Sequence, residues 1–94
     1  MPVRDVPARS RFELEQDGEL VGFIEYRLDD ATLVMTHAEI YPEHGGQGLG
    51  STMVRDALDA VRESGRAVRP RCSFVAAYIS RHPEYYDLLA SSPH

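Results

Sequence analysis

The sequence contains no tryptophan, a single cysteine and no apolar run of the length that spans a bilayer. Each absence excludes something. Cys72 alone cannot close an internal disulfide, and no cysteine–histidine run has zinc spacing, so no metal is expected. No stretch approaches the roughly 20 apolar residues of a membrane helix, so no membrane partner is expected. The N-terminus is polar and carries Pro2 and Pro7, unlike a secretory signal, which makes the cytoplasm the expected location. A net charge of −5, the lack of tryptophan and the lack of a basic-aromatic face argue against a nucleic-acid-binding α+β domain.

What is present suits a small folded domain. The 94 residues are 43% apolar, enough for a core, and the length predicts one domain. Residues 1–10 show no period and read as a flexible arm; the domain is expected over residues 11–90. From Arg11 to Glu15, Phe12 and Leu14 alternate with charged neighbours, as in a half-buried strand. Asp17-Gly18 then predicts a hairpin. In Glu19–Leu28, the period places Leu20, Ile24, Tyr26 and Leu28 on one face and Val21, Phe23, Glu25 and Arg27 on the other. Asp29-Asp30 makes a second turn. A third strand runs from Ala31 to Tyr41, with Val34, Thr36, Ala38 and Ile40 on one face and Leu33, Met35, His37, Glu39 and Tyr41 on the other.

After Pro42 the period changes. Met53, Val54, Ala57, Leu58 and Val61 form one stripe of a helix from Ser51 to Ser64, closed by Gly65. Ala67–Phe74 reads as a strand whose Pro70 confines it to an edge. A short helix is expected over Val75–Arg81, and a last one from Pro83 to about Ala90. The order is β-β-β-α-β-α-α: an α+β fold of a three-stranded antiparallel meander, a βαβ crossover and two C-terminal helices.

Between the third strand and the long helix lies Gly45-Gly46-Gln47-Gly48-Leu49-Gly50. Glycines at a helix start let backbone N–H groups approach an anion, and the helix dipole favours its charge. The P-loop pattern is absent, with no lysine nearby, and the G-x-G-x-x-G spacing also fails.

This strand-loop-helix resembles the acetyl-CoA motif, R/Q-x-x-G-x-G/A, of the GCN5-related N-acetyltransferases (GNATs). More narrowly the chain resembles the small single-domain YjdJ-type subfamily. The likeness runs from about Phe12 to Leu88 and takes in Asp17-Gly18, Thr36-His37, the Gly-rich loop, Pro70-x-Cys72-Ser73-Phe74 and His82-Pro83-Glu84-Tyr85. It implies a minimal GNAT fold and acetyl-CoA as co-substrate. It implies an acetyl transfer to an amine acceptor, small molecule or protein. Gly45 stands where the broad motif has Arg or Gln, which removes one side-chain donor to the pyrophosphate.

By resemblance, the coenzyme would be held by backbone groups of Ile40 and Tyr41, by Gly45, Gly46, Gln47, Gly48, Leu49, Gly50 and Ser51, and by Ser73 and Tyr78. An arginine would meet its 3′-phosphate. The candidate catalytic residues are Cys72, as acetyl acceptor, with His37 or Glu39 as base. Tyr78, Tyr85 and Tyr86 are candidate acids, whereas His44 and His82 read as loop residues without partners. The short chain leaves little for an acceptor pocket, so a shallow site on a monomer or weak homodimer is expected. The competing function is a non-catalytic acyl-CoA-binding or sensor module.

Overall fold

Asp17 and Gly18 both adopt positive φ, 53° and 79°, the primed turn geometry that matches strand twist. This turn joins β2 (Arg11–Gln16) to β3 (Glu19–Asp29). The second turn, at Asp30 with φ 54°, leads into β4 (Thr32–Ile40). The computed structural model, which describes residues 3–90, continues with α1 (Leu49–Ser64), β5 (Ala67–Pro70) and α2 (Ser73–Ser80). Short 3-10 segments occupy Pro7–Arg9, Pro42–His44 and Pro83–Leu88. The strands form one sheet in chain order, antiparallel up to β4 and parallel between β4 and β5. The meander and the strand–helix–strand crossover are therefore as the sequence predicts.

Residues 3–10 depart from the expected flexible arm, whose residues 1 and 2 lie outside the described residues. Val3–Val6 form a strand, β1, paired with β2, and Val3 lies buried opposite Leu14. Four residues carry too short a pattern to register as a period, and only the β2 edge selects their conformation. The Tyr26 hydroxyl adds a tie, donating to Asp5 Oδ1 at 2.6 Å.

Two β-bulges rearrange the expected faces. Leu14 faces Gly22 while Glu15 faces Leu20, leaving Val21 as an extra residue on β3. Val21 is consequently buried, while Leu28, near the far end of β3 on the face of Ile24 and Tyr26, is half exposed. On β4, Glu25 faces His37 and Tyr26 faces Met35, so Thr36 is the extra residue. Before this bulge Leu33 and Met35 enter the core; after it Ala38 and Ile40 do so, and His37 turns outward.

The α1 stripe is buried as expected: Met53, Val54, Ala57, Leu58 and Val61 are sealed against the sheet. Gly65 ends the helix in the left-handed conformation, φ 75°. The expected strand 67–74 stops at Pro70. Beyond it the Arg71 and Cys72 amides both donate to the Met35 carbonyl, at 2.9 and 3.1 Å, and the chain turns into α2 with Ser73 and Phe74 already helical. The expected last helix is a 3-10 segment that ends at Leu88. Leu89 then lies parallel to Val68, and the Ala90 amide donates to the Val68 carbonyl at 2.9 Å. No described helix is long and apolar enough to cross a membrane.

Candidate active site

β4 and β5 are paired only from Thr32/Ala67 to Met35/Pro70. β5 ends at Pro70, opposite Met35, so the remainder of β4 has no strand on that edge. A proline at the last paired position of β5 lacks the N–H that would continue the ladder. The gap opens into a cleft of about 430 Å³, within the roughly 300–1,000 Å³ of small-molecule sites. One wall is Ala38, Glu39 and Ile40 of β4, the opposite side carries Phe74 of α2, and the end is closed by the Gly-rich loop.

The loop residues leave backbone groups open at the start of α1. Gly46 and Gly48 have φ of 79° and 71°, and a Cβ on either would meet nothing within 4 Å, so their backbone faces open space. Gly48 caps α1 without any side-chain cap bond, and no acidic residue lies in the first turn. The first N–H groups of α1 are thus left for a ligand, at the positive end of the helix dipole. Gly50 serves a different purpose: a Cβ there would stand 2.9 Å from Phe74 Cζ, so the missing side chain is what lets the Phe74 ring lie on the helix start.

Most of the coenzyme-binding residues predicted from sequence line this cleft: Ile40, Gly45, Gly46, Gly48, Leu49, Gly50 and Ser51. Gln47 lies exposed in the same loop. Tyr41, Ser73 and Tyr78 are not among the residues lining it; Tyr78 instead borders a second, smaller cavity beside Ser51. Burial holds the Tyr78 phenol above its ordinary pKa of about 10. The Tyr85 and Tyr86 hydroxyls are engaged, with Asp59 at 2.7 Å and with the Ser80 carbonyl at 3.0 Å.

His37 and Glu39 come together, with Nε2 3.1 Å from Oε1. Glu39 reaches the cleft, while His37 sits beside Phe23, ring centroids 5.9 Å apart. Cys72 is half-buried at the N-cap of α2 and packs against the core edge, not among the cleft-lining residues. The structure therefore pairs His37 with Glu39 rather than with Cys72.

His44 and His82 have partners, contrary to the sequence reading. His44 Nε2 lies 3.6 Å from Glu19 Oε1, and the ring lines the cleft. His82 stacks on Tyr78, centroids 3.8 Å apart and 12° between planes, with Nδ1 2.7 Å from the Tyr78 carbonyl. A carbonyl only accepts, so Nδ1 carries the proton. Phe74 is the residue whose role escaped the sequence reading. Its spacing of four from Tyr78 marks a helix face, not what that face covers.

A β4 edge left without a partner next to a glycine-started helix is the arrangement expected of a minimal GNAT fold. The comparisons with known proteins are narrower. The family description "GCN5-related N-acetyl-transferase" matches residues 11–88, and the chain belongs to that family. Over 63 residues it is 33% identical to the streptothricin acetyltransferase of Streptomyces lavendulae, covering 65% of this chain and 33% of that protein. The chain spans about a third of the length of that relative. In fold it is similar to a GCN5-like protein from Staphylococcus aureus, with a TM-score of 0.70, 21% identity and coverage of 98% and 90% of the two chains. It is also similar to the PaiA N-acetyltransferase of Thermoplasma acidophilum, solved with coenzyme A, with a TM-score of 0.58, 18% identity and coverage of 76% and 48%.

Proposed function

We propose that this protein is an acetyl-CoA-dependent N-acetyltransferase acting on an amine. The observation that carries the reading is the end of β5 at Pro70, which leaves β4 without a strand partner beyond Met35, next to an uncapped, glycine-started helix. The unpaired edge of β4 suits the amides of a pantetheine arm, which would add to it as a strand does. The backbone amides from Gln47 to Ser51 suit the pyrophosphate. Bound there, acetyl-CoA supplies an acetyl group activated as a thioester.

The Glu39–His37 pair is the proposed proton acceptor for the incoming ammonium group. Glu39 faces the cleft and His37 is exposed, so a proton taken at the cleft has a path to solvent. A relay through Cys72 is the second reading, favoured by its place at the N-terminus of α2. In that relay the Cys72 sulfur takes the acetyl group from the thioester, and the amine then displaces it. The non-catalytic coenzyme-binding module remains the competing function.

The test is acceptor-stimulated release of free coenzyme A across a panel of amines: a polyamine, an aminoglycoside and a peptide with a free N-terminus. Intact-mass measurement after incubation with acetyl-CoA runs beside it. Acceleration by at least one amine is expected. Coenzyme binding without stimulated release by any of them would support the binding module instead.

A further inference from the structure

Beside the cleft lies a cavity of about 80 Å³ that shares Ser51 and Phe74 with it and is completed by Ala77, Tyr78, Arg81 and His82. At about 30 Å³ per water, it has room for a phosphate group. We propose that Arg81 binds the 3′-phosphate of the coenzyme's ribose and so makes the protein select coenzyme A over 3′-dephospho-coenzyme A. This rests on the coenzyme reading above and names the residue that reads the ligand's far end.

The other arginines are committed or distant. Arg62 makes a bidentate pair with Asp87, at 2.6 and 3.1 Å, and also donates to the Glu84 carbonyl at 2.7 Å. It sits with Arg66 at the far end of α1, about 20 Å from the loop at roughly 1.5 Å per residue. Arg4, Arg9 and Arg11 gather on the Glu13 carboxylate, at 3.7, 3.3 and 2.7 Å. Arg69 lies 3.8 Å from Asp29. Arg27 pairs with Val34, at the opposite end of β4 from the loop. Arg71 lines neither cavity. Arg55, one turn along α1 from Ser51, is bonded to Asp56 at 3.2 Å. Arg81 borders the cavity next to the pyrophosphate cradle, and among the described residues no carboxylate lies within ion-pair distance of it.

Its backbone is held in place. Arg81 is the C-cap of α2, and its amide donates to the Ala77 and Tyr78 carbonyls, at 3.3 and 3.1 Å. The stacked His82 fixes the same turn through the Tyr78 carbonyl. Arg81 therefore stands on a rigid support at the edge of a cavity that also takes in Ser51, the start of the helix that follows the loop. A planar guanidinium with forked donors suits phosphate.

The experiment is calorimetric titration of coenzyme A and of 3′-dephospho-coenzyme A into the wild type, Arg81→Gln, Arg81→Lys and Arg55→Gln. The wild type should bind coenzyme A about tenfold more tightly than the dephospho form, as one added charge-assisted contact warrants. Arg81→Gln should lose that preference while its affinity for the dephospho form stays within about twofold. Arg81→Lys should keep part of the preference, and Arg55→Gln all of it. Added salt should erode the preference in the wild type and leave Arg81→Gln unmoved. Equal weakening of both ligands by Arg81→Gln, or loss of the preference in Arg55→Gln alone, would overturn the assignment. If the dephospho form binds and the wild type shows no preference, the assignment fails and the coenzyme reading stands; if neither ligand binds, both fall.

Discussion

Gly22 stands against Ile40 with no room for a methyl group. A Cβ built on Gly22 would lie 2.5 Å from Ile40 Cδ1 and 2.6 Å from the Glu39 carbonyl oxygen. Ile40 Cδ1 is the end of a flexible side chain, but the Glu39 carbonyl is backbone and cannot yield without shifting β4. Gly22→Ala should therefore cost roughly 1–3 kcal/mol, the range of overpacked cores. Because the displaced strand is the cleft wall, coenzyme affinity should fall as well. Urea denaturation with a parallel titration checks both; a stability loss under about 0.5 kcal/mol would mean the contact is slack.

Gly48→Ala separates the loop from the fold. The backbone there is left-handed and nothing surrounds the Cβ position. Strain of about 1–2 kcal/mol is expected from the backbone alone. The new methyl would occupy the open space above the cradle, so coenzyme binding should weaken tenfold or more. Gly48→Asn should recover stability, since asparagine tolerates this conformation, without recovering affinity. Unchanged affinity in both variants would move the pyrophosphate elsewhere.

Alkaline pH should expose the tie between Tyr26 and Asp5. Burial first, then the hydrogen bond to Asp5, lift the Tyr26 pKa from 10.0 to about 12. The neutral phenol is the form the fold favours, so its contribution is complete below about pH 10 and is lost as pH rises towards 12. Between pH 9 and 11.5 the wild type should lose roughly 2 kcal/mol more than Tyr26→Phe. Tyr85, raised in the same direction, is present in both and cancels. Equal losses in the two proteins would show that the phenol titrates freely.

Mutational coupling should follow the contacts at the candidate active site. Glu39→Gln and His37→Gln are each expected to lower kcat/KM about 100-fold, with coenzyme affinity unchanged. Bonded at 3.1 Å, they should be strongly non-additive in the double variant. Cys72→Ala should retain at least about a third of the activity, and its effect should add to that of either. Loss of activity together with loss of an acetyl adduct in Cys72→Ala would favour the relay through sulfur.

The sequence by itself determined every feature with a local cause. Asp17-Gly18 dictated a hairpin because both residues tolerate positive φ. Pro70 placed β5 at an edge because proline cannot donate. The spacing of Met53, Val54, Ala57, Leu58 and Val61 set the buried side of α1, and the glycines at its start left that helix end without a side-chain cap. Tertiary structure decided what depends on partners. The bulges at Val21 and Thr36 were invisible to a two-residue period, since inserting one residue reverses every face beyond it. That reversal is why His37 points outward while Ala38 and Ile40 line the inner side. Strand β1 needed the edge of β2, and His44 and His82 needed Glu19 and Tyr78 brought to them from elsewhere in the fold. Ten arginines look alike in one dimension; folding neutralised several on carboxylates and left Arg81 beside the cleft.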